Sequence, residues 1–340
     1  VSAPPAGAPL SDAASGRMLL FNRAGALFAM PADDLFKGGV QNSVAAASEL
    51  GAALSGPVAA SLLADGGVAV SSASVGAKAL VAGKTGPRRW LPLPDVLGAP
   101  AVAFHGGLLA PGKLGQVRVV DPATGADLVQ PFQPRLGRGP EYRWSTPLVM
   151  SNDELLLADG DTRLYRLGVA AKPEPHLTPV AEAELKGPLA APLAVAGATV
   201  YAVNGANELV AFSLGQGGAK TLAAGKSWPL TAPVVWGPYA AGPHVLLATL
   251  DDHLLACGDA QNTLWQVEWK HGPLAGTPLL VGDALLLPTK SGQLCKLAAA
   301  SGDVQGVVEL GEPLAAGPVA LGDRLLLAAK SGALLVVTMP

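Results

Sequence analysis

The side chains that could do chemistry are scattered along this chain rather than grouped in motifs. Its five histidines show neither the His-x-x-His nor the His-Glu-x-x-His spacing that brings two imidazoles to one zinc ion. These histidines are His105, His176, His244, His253 and His271. The chain also lacks a Gly-x-Ser-x-Gly elbow, a P-loop and a dinucleotide fingerprint. We therefore identify no catalytic residue and no metal ligand, and the sequence does not support a hydrolase, an NTPase or a dinucleotide-dependent enzyme.

Two close pairs of aspartates, Asp251 with Asp252 and Asp159 with Asp161, could offer carboxylates to a hard cation. Both pairs lie at predicted hairpin turns, where aspartate is favoured because its side chain hydrogen-bonds to the backbone of the turn. The glycine-rich segment 214–218 follows a predicted strand but opens no helix, so we do not expect it to cradle a phosphate. We interpret all three features as turns or connections.

A basic and aromatic region between Lys84 and Arg143 differs from the rest of the chain. It contains eight Lys and Arg residues against four acids, whereas the whole chain has a net charge of −3. Two parts of it combine arginine with Trp or Tyr, residue types that dominate protein interfaces because they join a donor fork to a rigid apolar surface. We predict a partner-binding site made of Arg88, Arg89, Trp90, Arg135, Arg138, Tyr142, Arg143 and Trp144.

Both parts of this predicted site precede a repeat start, so we expect them in links from an outer strand to the next inner strand, on one face of the fold. Two alternatives stay open. Trp90 and Trp144 could pack between structural units while the arginines are solvated, or the arginines could hold a small anion.

A repeat organises the whole chain and positions these segments. A small residue, a proline and usually an aliphatic residue recur eight times, with prolines 40 to 48 residues apart. The prolines are Pro9, Pro57, Pro100, Pro147, Pro192, Pro233, Pro278 and Pro318. Each is followed by a short apolar run, and in most repeats a Gly or Asp turn and a second apolar stretch come next, as in 290–294 and 330–334.

Proline at the first residue of a strand removes no backbone N–H that the sheet needs for its hydrogen bonds. Several short strands per repeat are typical of a propeller blade. The sequence therefore predicts an all-β, eight-bladed β-propeller with WD40-like blades of about 44 residues. A solenoid of strands is the alternative. We interpret residues 1–8 as a linker or trimmed N-terminal segment and 9–340 as one propeller domain.

Closure of the ring is an open question. After Pro318 only 22 residues remain, enough for three strands. The last blade either takes its outer strand from the N-terminal side or closes by packing alone. Residues 1–7 contain two prolines and are a poor ladder donor.

Composition excludes several classes of protein. Charged residues are 14% and hydrophobic residues 50% of 340, which excludes a charged coiled coil and a typical disordered chain. The negative net charge opposes nucleic-acid binding. Residues 227–250 contain no Asp, Glu, Lys or Arg, but four prolines interrupt them, so we predict no membrane span. We interpret Cys257 and Cys295 as two small buried hydrophobes.

Three segments resemble the PQQ-like, or quinoprotein-like, repeat, whose blades carry Asp-x-x-Thr-Gly followed by an outer-strand Trp. Residues 120–127 match the first part, with Val129 near the place of the Trp. Residues 258–269 match the second part through Trp265, with Asn262 where the glycine is expected. Residues 299–303 are a degenerate copy.

This resemblance implies one of two functions. Some family members are dehydrogenases that hold pyrroloquinoline quinone and calcium or a lanthanide in the central funnel, with an aspartate base and often a ring of adjacent cysteines. Others, of the barrel-assembly lipoprotein type, bind no cofactor and serve as interaction platforms. Since this chain has no adjacent cysteines, the resemblance favours a bacterial scaffold without cofactor that binds a protein partner through its loop face.

The resemblance also implies a periplasmic or other extracytoplasmic location. We expect a monomer that binds no nucleic acid. A PQQ-dependent dehydrogenase with calcium, and a propeller that binds a carbohydrate or small ligand at the funnel mouth, are the alternatives.

Overall fold

Short β-strands joined by tight turns make up nearly all of the regular structure. The computed structural model describes residues 3–12, 15–35, 48–49, 55–82, 88–135, 141–215, 220–258 and 260–339. Within these residues the strands form eight antiparallel sheets, which we number 1 to 8 in chain order. A four-residue helix, α1 (Ala32–Leu35), follows the third strand. None of the described helical segments is long and apolar enough to cross a membrane.

Sheets 1 to 4 follow one another along the first half of the chain. Sheet 1 contains β1 (Leu10–Asp12), β2 (Arg17–Phe21), β3 (Ala26–Pro31) and β4 (Ser48–Glu49). Sheet 2 contains β5 (Val58–Leu62), β6 (Val68–Ser72), β7 (Lys78–Ala82) and β8 (Arg88–Pro92). Sheet 3 contains β9 (Val102–Phe104), β10 (Gly107–Pro111) and β11 (Val117–Val120). Sheet 4 contains β12 (Leu148–Ser151), β13 (Glu154–Ala158), β14 (Arg163–Ala170) and β15 (His176–Glu184).

Sheets 5 to 8 repeat this arrangement. Sheet 5 contains β16 (Ala194–Ala196), β17 (Thr199–Val203), β18 (Glu208–Ser213) and β19 (Ala223–Pro229). Sheet 6 contains β20 (Val234–Ala241), β21 (His244–Thr249), β22 (His253–Cys257) and β23 (Thr263–Glu268). Sheet 7 contains β24 (Leu279–Val281), β25 (Ala284–Pro288), β26 (Gln293–Ala298) and β27 (Val304–Glu309). Sheet 8 contains β28 (Leu314–Leu321), β29 (Arg324–Ala329) and β30 (Leu334–Thr338).

The second strand of a sheet is apolar on both faces because its sheet packs against a neighbour on each side. Every residue of β17 and of β25 is buried. Each interface between consecutive sheets holds one apolar cluster. Eight clusters of this kind are found among the described residues, and the eighth joins the last sheet to the first. The sheets therefore stand around a central axis, and the predicted all-β propeller class is confirmed.

The ring closes through side-chain packing between sheets 8 and 1. Leu20 and Phe28 of sheet 1 pack against Leu321 and Leu326 of sheet 8. In the part of the chain that the structure describes, sheet 8 has three strands. Closure by packing was one of the two routes that the sequence left open.

The predicted proline starts fit seven of the eight sheets. Pro147 directly precedes β12, and Pro278 directly precedes β24. Pro318 differs, because it lies inside β28 at a shift of register between Ala316 and Val319. The residue that precedes β28 is Pro313. A proline is tolerated at such an irregularity because no ladder donor is required there, so the small-Pro-aliphatic pattern marked a bulge instead of a strand start.

The propeller has two ends with different connections. The link end carries the links between sheets and the loops from each second strand to the third strand. Backbone hydrogen bonds tie these together, for example from Lys113 N to Val96 O and from Leu250 N to Pro233 O, at 2.8 and 2.9 Å. The turn end carries the turns from first to second strands and from third to fourth strands. Pro4, near the N-terminus, takes the place of a link residue in sheet 1. Its carbonyl accepts a hydrogen bond from Arg23 N at 2.8 Å, as the link residues Val96 and Pro233 accept in sheets 3 and 6.

Candidate functional site

The structure divides the predicted arginine and aromatic site between the two ends of the propeller. Arg88, Arg89 and Trp90 lie in β8, the fourth strand of sheet 2, and not in a link. Arg89 contacts the turn that follows β11, whereas Trp144 contacts the loop that precedes β11. The expectation that both parts occupy links on one face is therefore wrong. A run of arginines before a repeat start is compatible with a strand as well as with a link, and Pro92 ends this strand.

At the turn end, Arg89 joins sheet 2 to sheet 3. Its guanidinium donates to the carbonyl oxygens of Pro122 and Ala123. The pKa of Asp121 is lowered by hydrogen bonds from the Ala123 N–H and the Thr124 hydroxyl, and the positive charge of Arg89 adds to this effect. The Nζ atom of Lys78 lies 4.3 Å from the ring centroid of half-buried Trp90. These groups are engaged within the fold, and the side chain of Arg88 lies outside the described residues.

At the link end, an aromatic pair supports two exposed arginines. Trp144 is 5% exposed, and its Nε1 donates to Gly112 O at 2.9 Å. Tyr142 stacks on this ring with a centroid distance of 5.2 Å, and its hydroxyl donates to Arg135 O at 2.9 Å. The side chains of Arg135 and Arg143 are exposed beside this pair. Arg138 lies outside the described residues.

The Asp-x-x-Thr-Gly signature forms a closed turn. Asp121 accepts from Ala123 N and from the Thr124 hydroxyl, both at 2.8 Å. Gly125 has φ +79°, a conformation that suits glycine because it lacks a Cβ. The signature is therefore a structural element at the turn end of sheet 3.

The outer-strand Trp of the signature also holds two sheets together. Trp265 in β23 is 8% exposed, and its Nε1 donates to Ala299 O in the turn of sheet 7 at 2.8 Å. A Cβ on Gly302 would lie 2.6 Å from the Trp265 ring, so only glycine lets the two surfaces meet. The family motif thus supplies stability rather than a binding group.

The aspartate pairs behave as turn residues. Asp251 accepts from the Thr249 hydroxyl at 2.6 Å, and hydrogen bonds from Thr249 and Thr231 lower the pKa of Asp251 to about 2. Asp159 accepts from the backbone N–H groups of Asp161 and Arg163 at 2.9 and 3.1 Å. The backbone of its turn therefore uses the Asp159 carboxylate, as the sequence predicts, whereas threonine hydroxyls use that of Asp251.

The two cysteines are buried and unpaired with each other. Burial raises the pKa of Cys257 to about 12 and that of Cys295 to about 11. A thiolate is the reactive form of cysteine, so neither thiol is nucleophilic at neutral pH. This agrees with their interpretation as small hydrophobes.

A cavity at the link end has a lining that the sequence interpretation did not identify. It has a volume of about 1070 Å³ and lies at the link end, where the links and first strands of sheets 5, 6, 7, 8 and 1 converge. Its wall is mainly proline, alanine and glycine, with several aliphatic side chains and the rings of Trp236 and Tyr239, and its rim carries Arg23, Lys290 and Lys330. We call it the link-end cavity. Each of these cations stands two residues before a turn glycine, a repeated signal that could have revealed them.

The link-end cavity does not fit a quinone with calcium. Calcium takes six to eight oxygen ligands, several of them from carboxylate or amide side chains. The described lining contains no Asp, Glu, Asn or Gln, and Thr277 is its one hydroxyl besides the Tyr239 phenol. The donor set therefore lacks the oxygens that would hold the ion.

Comparison with known structures identifies relatives in fold. The BamB structure from Moraxella catarrhalis superposes with a TM-score of 0.65 at 18% identity, covering 98% of this chain and 95% of that chain. A computationally designed protein, Ika8, gives a TM-score of 0.66 at 12% identity over 100% and 97%. The C-terminal WD40 domain of Sif2 gives 0.63 at 11% identity, also over 100% and 97%. These likenesses establish the propeller fold.

Comparison with protein families gives a more specific result. No curated protein sequence matches the chain. A family model described as "Outer membrane protein assembly factor BamB" matches residues 115–339, which is well over half of the chain. This matched range holds the Asp121 turn, the Trp265 contact and sheets 4 to 8. The chain therefore belongs to the PQQ-like repeat family of the outer membrane protein assembly factor BamB.

Proposed function

We propose that this chain is a non-catalytic scaffold that binds a protein partner in the assembly of outer membrane proteins. The family match over residues 115–339 carries this proposal. It also supports a periplasmic or outer-membrane-associated location. The scaffold needs no cofactor, and the alternative of a quinone-dependent dehydrogenase lacks support because the lining of the link-end cavity offers no carboxylate.

The exposed arginines at the link end are the first docking surface that we propose. Arg135 and Arg143 flank Tyr142, which stacks on the anchored ring of Trp144. A surface that is already rigid loses less side-chain entropy when a partner binds. Arginine and tyrosine are also enriched among residues that dominate interface energies. Of the predicted residues, Arg135, Tyr142 and Arg143 are thus the best placed to contact a partner.

Capture of assembly-machinery proteins from a detergent-solubilised outer membrane tests the scaffold role. The tagged wild-type chain is expected to enrich proteins of that machinery, and Arg135→Glu with Arg143→Glu is expected to reduce the recovery at least about tenfold, because like charges at a docking surface repel the partner. The matched control is Lys172→Glu with Lys226→Glu, two exposed lysines away from this surface that give the same change of charge.

The control pair is expected to capture as the wild type does. Recovery of no assembly-machinery protein by the wild type would refute the scaffold role. Equal recovery by both double variants would show that the arginines are not the docking surface.

A further inference from the structure

Three cations occupy the same structural position in three consecutive sheets. Arg23, Lys290 and Lys330 each lie two residues before the positive-φ glycine of the loop between a second and a third strand, in sheets 1, 7 and 8. Their backbone N–H groups donate to the carbonyls of Pro4, Pro273 and Pro313 at 2.7 to 2.8 Å. Because sheet 8 packs against sheet 1, these residues form one arc on the rim of the link-end cavity. We call it the cation arc.

The charges of the cation arc are not neutralised within the described part of the chain. All three side chains are exposed, and no described acid lies within ion-pair distance of any of them. Arg23 donates from Nη1 to the carbonyl oxygen of Gly56 at 3.3 Å, which leaves its charge unpaired. Glu312, the nearby acid of the link to sheet 8, accepts from the Ser331 hydroxyl at 3.1 Å. Sheet 3 shows the contrasting case, because Lys113 stands at the equivalent position and its Nζ lies 3.3 Å from a Glu141 carboxylate oxygen.

The part of the rim next to Lys290 is mainly apolar, with Asp252 and His253 as its ionisable residues. In sheet 6, Leu250 holds the position equivalent to the cations and is 66% exposed, and Val235 beside it is 56% exposed. A smaller cavity of about 280 Å³ is lined by these two residues and shares Val235, Trp236, Leu274 and Lys290 with the link-end cavity. Exposed aliphatic side chains that adjoin each other at a cavity are typical of a binding surface. The rim thus offers positive charge along the cation arc and apolar contact beside Lys290.

The two adjoining cavities give a ligand room to extend. The link-end cavity, at about 1070 Å³, matches the upper end of small-molecule pockets, which measure about 300 to 1,000 Å³. The cavity of about 280 Å³ continues it past Val235 and Lys290, which suits an extended polypeptide segment. The acidic chemistry follows from charge complementarity, since the lining of the larger cavity contains three cations and no acid. An extended segment that carries both acids and apolar side chains would satisfy both parts of the rim.

We propose that the link-end cavity binds an acidic segment of a protein partner, with its carboxylates on the cation arc and its apolar side chains against Val235 and Leu250. This inference rests on the proposed scaffold function and names the chemistry of one partner segment. It concerns residues that are separate from Arg135 and Arg143, so the two surfaces can be disabled independently.

Fluorescence anisotropy with a labelled twelve-residue peptide that repeats Asp-Glu-Leu-Phe tests this inference. Wild-type protein is expected to bind it, and Lys290→Glu with Lys330→Glu is expected to weaken binding at least about tenfold, because repulsion replaces attraction. Lys172→Glu with Lys226→Glu is the charge-matched control and is expected to bind like the wild type. Val235→Ser is expected to weaken binding about threefold through lost apolar contact. Unchanged melting temperatures would show that the variants are folded.

Two further probes separate the acidic segment from other anions. A peptide with Ser in place of Leu and Phe is expected to bind more weakly, and a single-stranded RNA of equal charge is expected to bind more weakly than the Asp-Glu-Leu-Phe peptide. Tighter RNA binding, or equal peptide binding by the wild type and the Lys290/Lys330 double variant, would overturn the inference. In either case the capture experiment with Arg135 and Arg143 still decides the scaffold role by itself.

Discussion

The two ends of the propeller use similar side chains for opposite purposes. At the turn end, Arg89 and Trp265 reach across to the next sheet and hydrogen-bond to its turn carbonyls. At the link end, Lys290 and Lys330 project from the loops with no acid to pair with among the described residues. The difference teaches that residue type alone does not mark a binding surface. What matters is whether the neighbouring sheet already supplies the partner.

The contacts at the turn end differ among themselves in what they bury. Trp265 combines a nearly buried ring with one hydrogen bond, whereas Arg89 contributes hydrogen bonds from a half-buried guanidinium. We rank a third, charged contact between these two. In this contact Arg166 and Lys220 both bind the Glu154 carboxylate. We expect the stability lost on truncation to follow this order, with Trp265 first and Arg89 last.

Trp265→Ala is expected to have the largest effect. It removes a large apolar ring and its hydrogen bond to Ala299, so the free energy of unfolding should fall by about 3 to 5 kcal/mol. Urea denaturation followed by circular dichroism measures this. Trp265→Phe serves as the control, because it keeps much of the ring and should cost less. A loss under about 1 kcal/mol for the alanine variant would contradict a role for this ring in holding sheets 6 and 7 together.

Glu154→Gln is expected to have an intermediate and pH-dependent effect. Arg166 donates two hydrogen bonds to this carboxylate, at 2.6 and 2.9 Å, and Lys220 lies 2.6 Å from its other oxygen. Removing the charge should cost about 1 to 3 kcal/mol at pH 7, since hydrogen bonds to charged groups are worth more than neutral ones. Urea unfolding of both proteins across a pH series measures the difference.

The direction of the pH dependence follows from the pKa of Glu154. Burial raises this pKa, but hydrogen bonds from Lys220 and Arg166 outweigh burial and leave it below the ordinary value of 4.5. The folded state therefore binds its proton less readily than the unfolded state does. The extra stability is present above pH 4.5 and is lost as the pH falls through the folded pKa. A difference between the two proteins that stays constant from pH 7 to about pH 3 would contradict this.

Arg89→Ala is expected to have the smallest effect, about 0.5 to 1.5 kcal/mol, because water can replace its hydrogen bonds to the partly exposed carbonyls of Pro122 and Ala123. Its effect on capture of a partner is expected to be nil, since the guanidinium is engaged at the turn end. Paired urea unfolding and capture assays measure both quantities. If Arg89→Ala lost capture of a partner while its free energy of unfolding stayed unchanged, Arg89 would have to belong to the docking surface.

The fold could be predicted from the sequence because its signals are local and repeated. A strand start after Pro147 or Pro278, and the closed turn at Asp121, depend on a few neighbouring residues. Pro318 was misplaced because a proline at a bulge and a proline before a strand give the same local pattern. The position of a proline relative to the register of its partner strand cannot be obtained from one segment alone.

The binding surfaces were harder to predict because they combine residues that are distant in the chain. Trp144 and Arg89 both lie in the basic and aromatic region of the sequence. However, Trp144 contacts the loop before β11, and Arg89 contacts the turn after it. The cation arc shows the reverse, since Arg23 and Lys330 are far apart in sequence and come together through closure of the ring. Composition therefore led us to group Arg89 with Trp144, although the fold separates them. The position within the repeat would have grouped Arg23 with Lys330, which the fold brings together.

Thermal unfolding with and without the Asp-Glu-Leu-Phe peptide tests the central contrast most directly. The variant combines Arg23→Gln, Lys290→Gln and Lys330→Gln, so that the cation arc loses its charge without new repulsion. We expect the variant alone to melt within about 2 °C of the wild type, since exposed substitutions change stability little. The peptide should raise the melting temperature of the wild type only. A variant that melts more than about 5 °C lower, or that gains equally from the peptide, would contradict the claim that the charges of these cations are available to a partner.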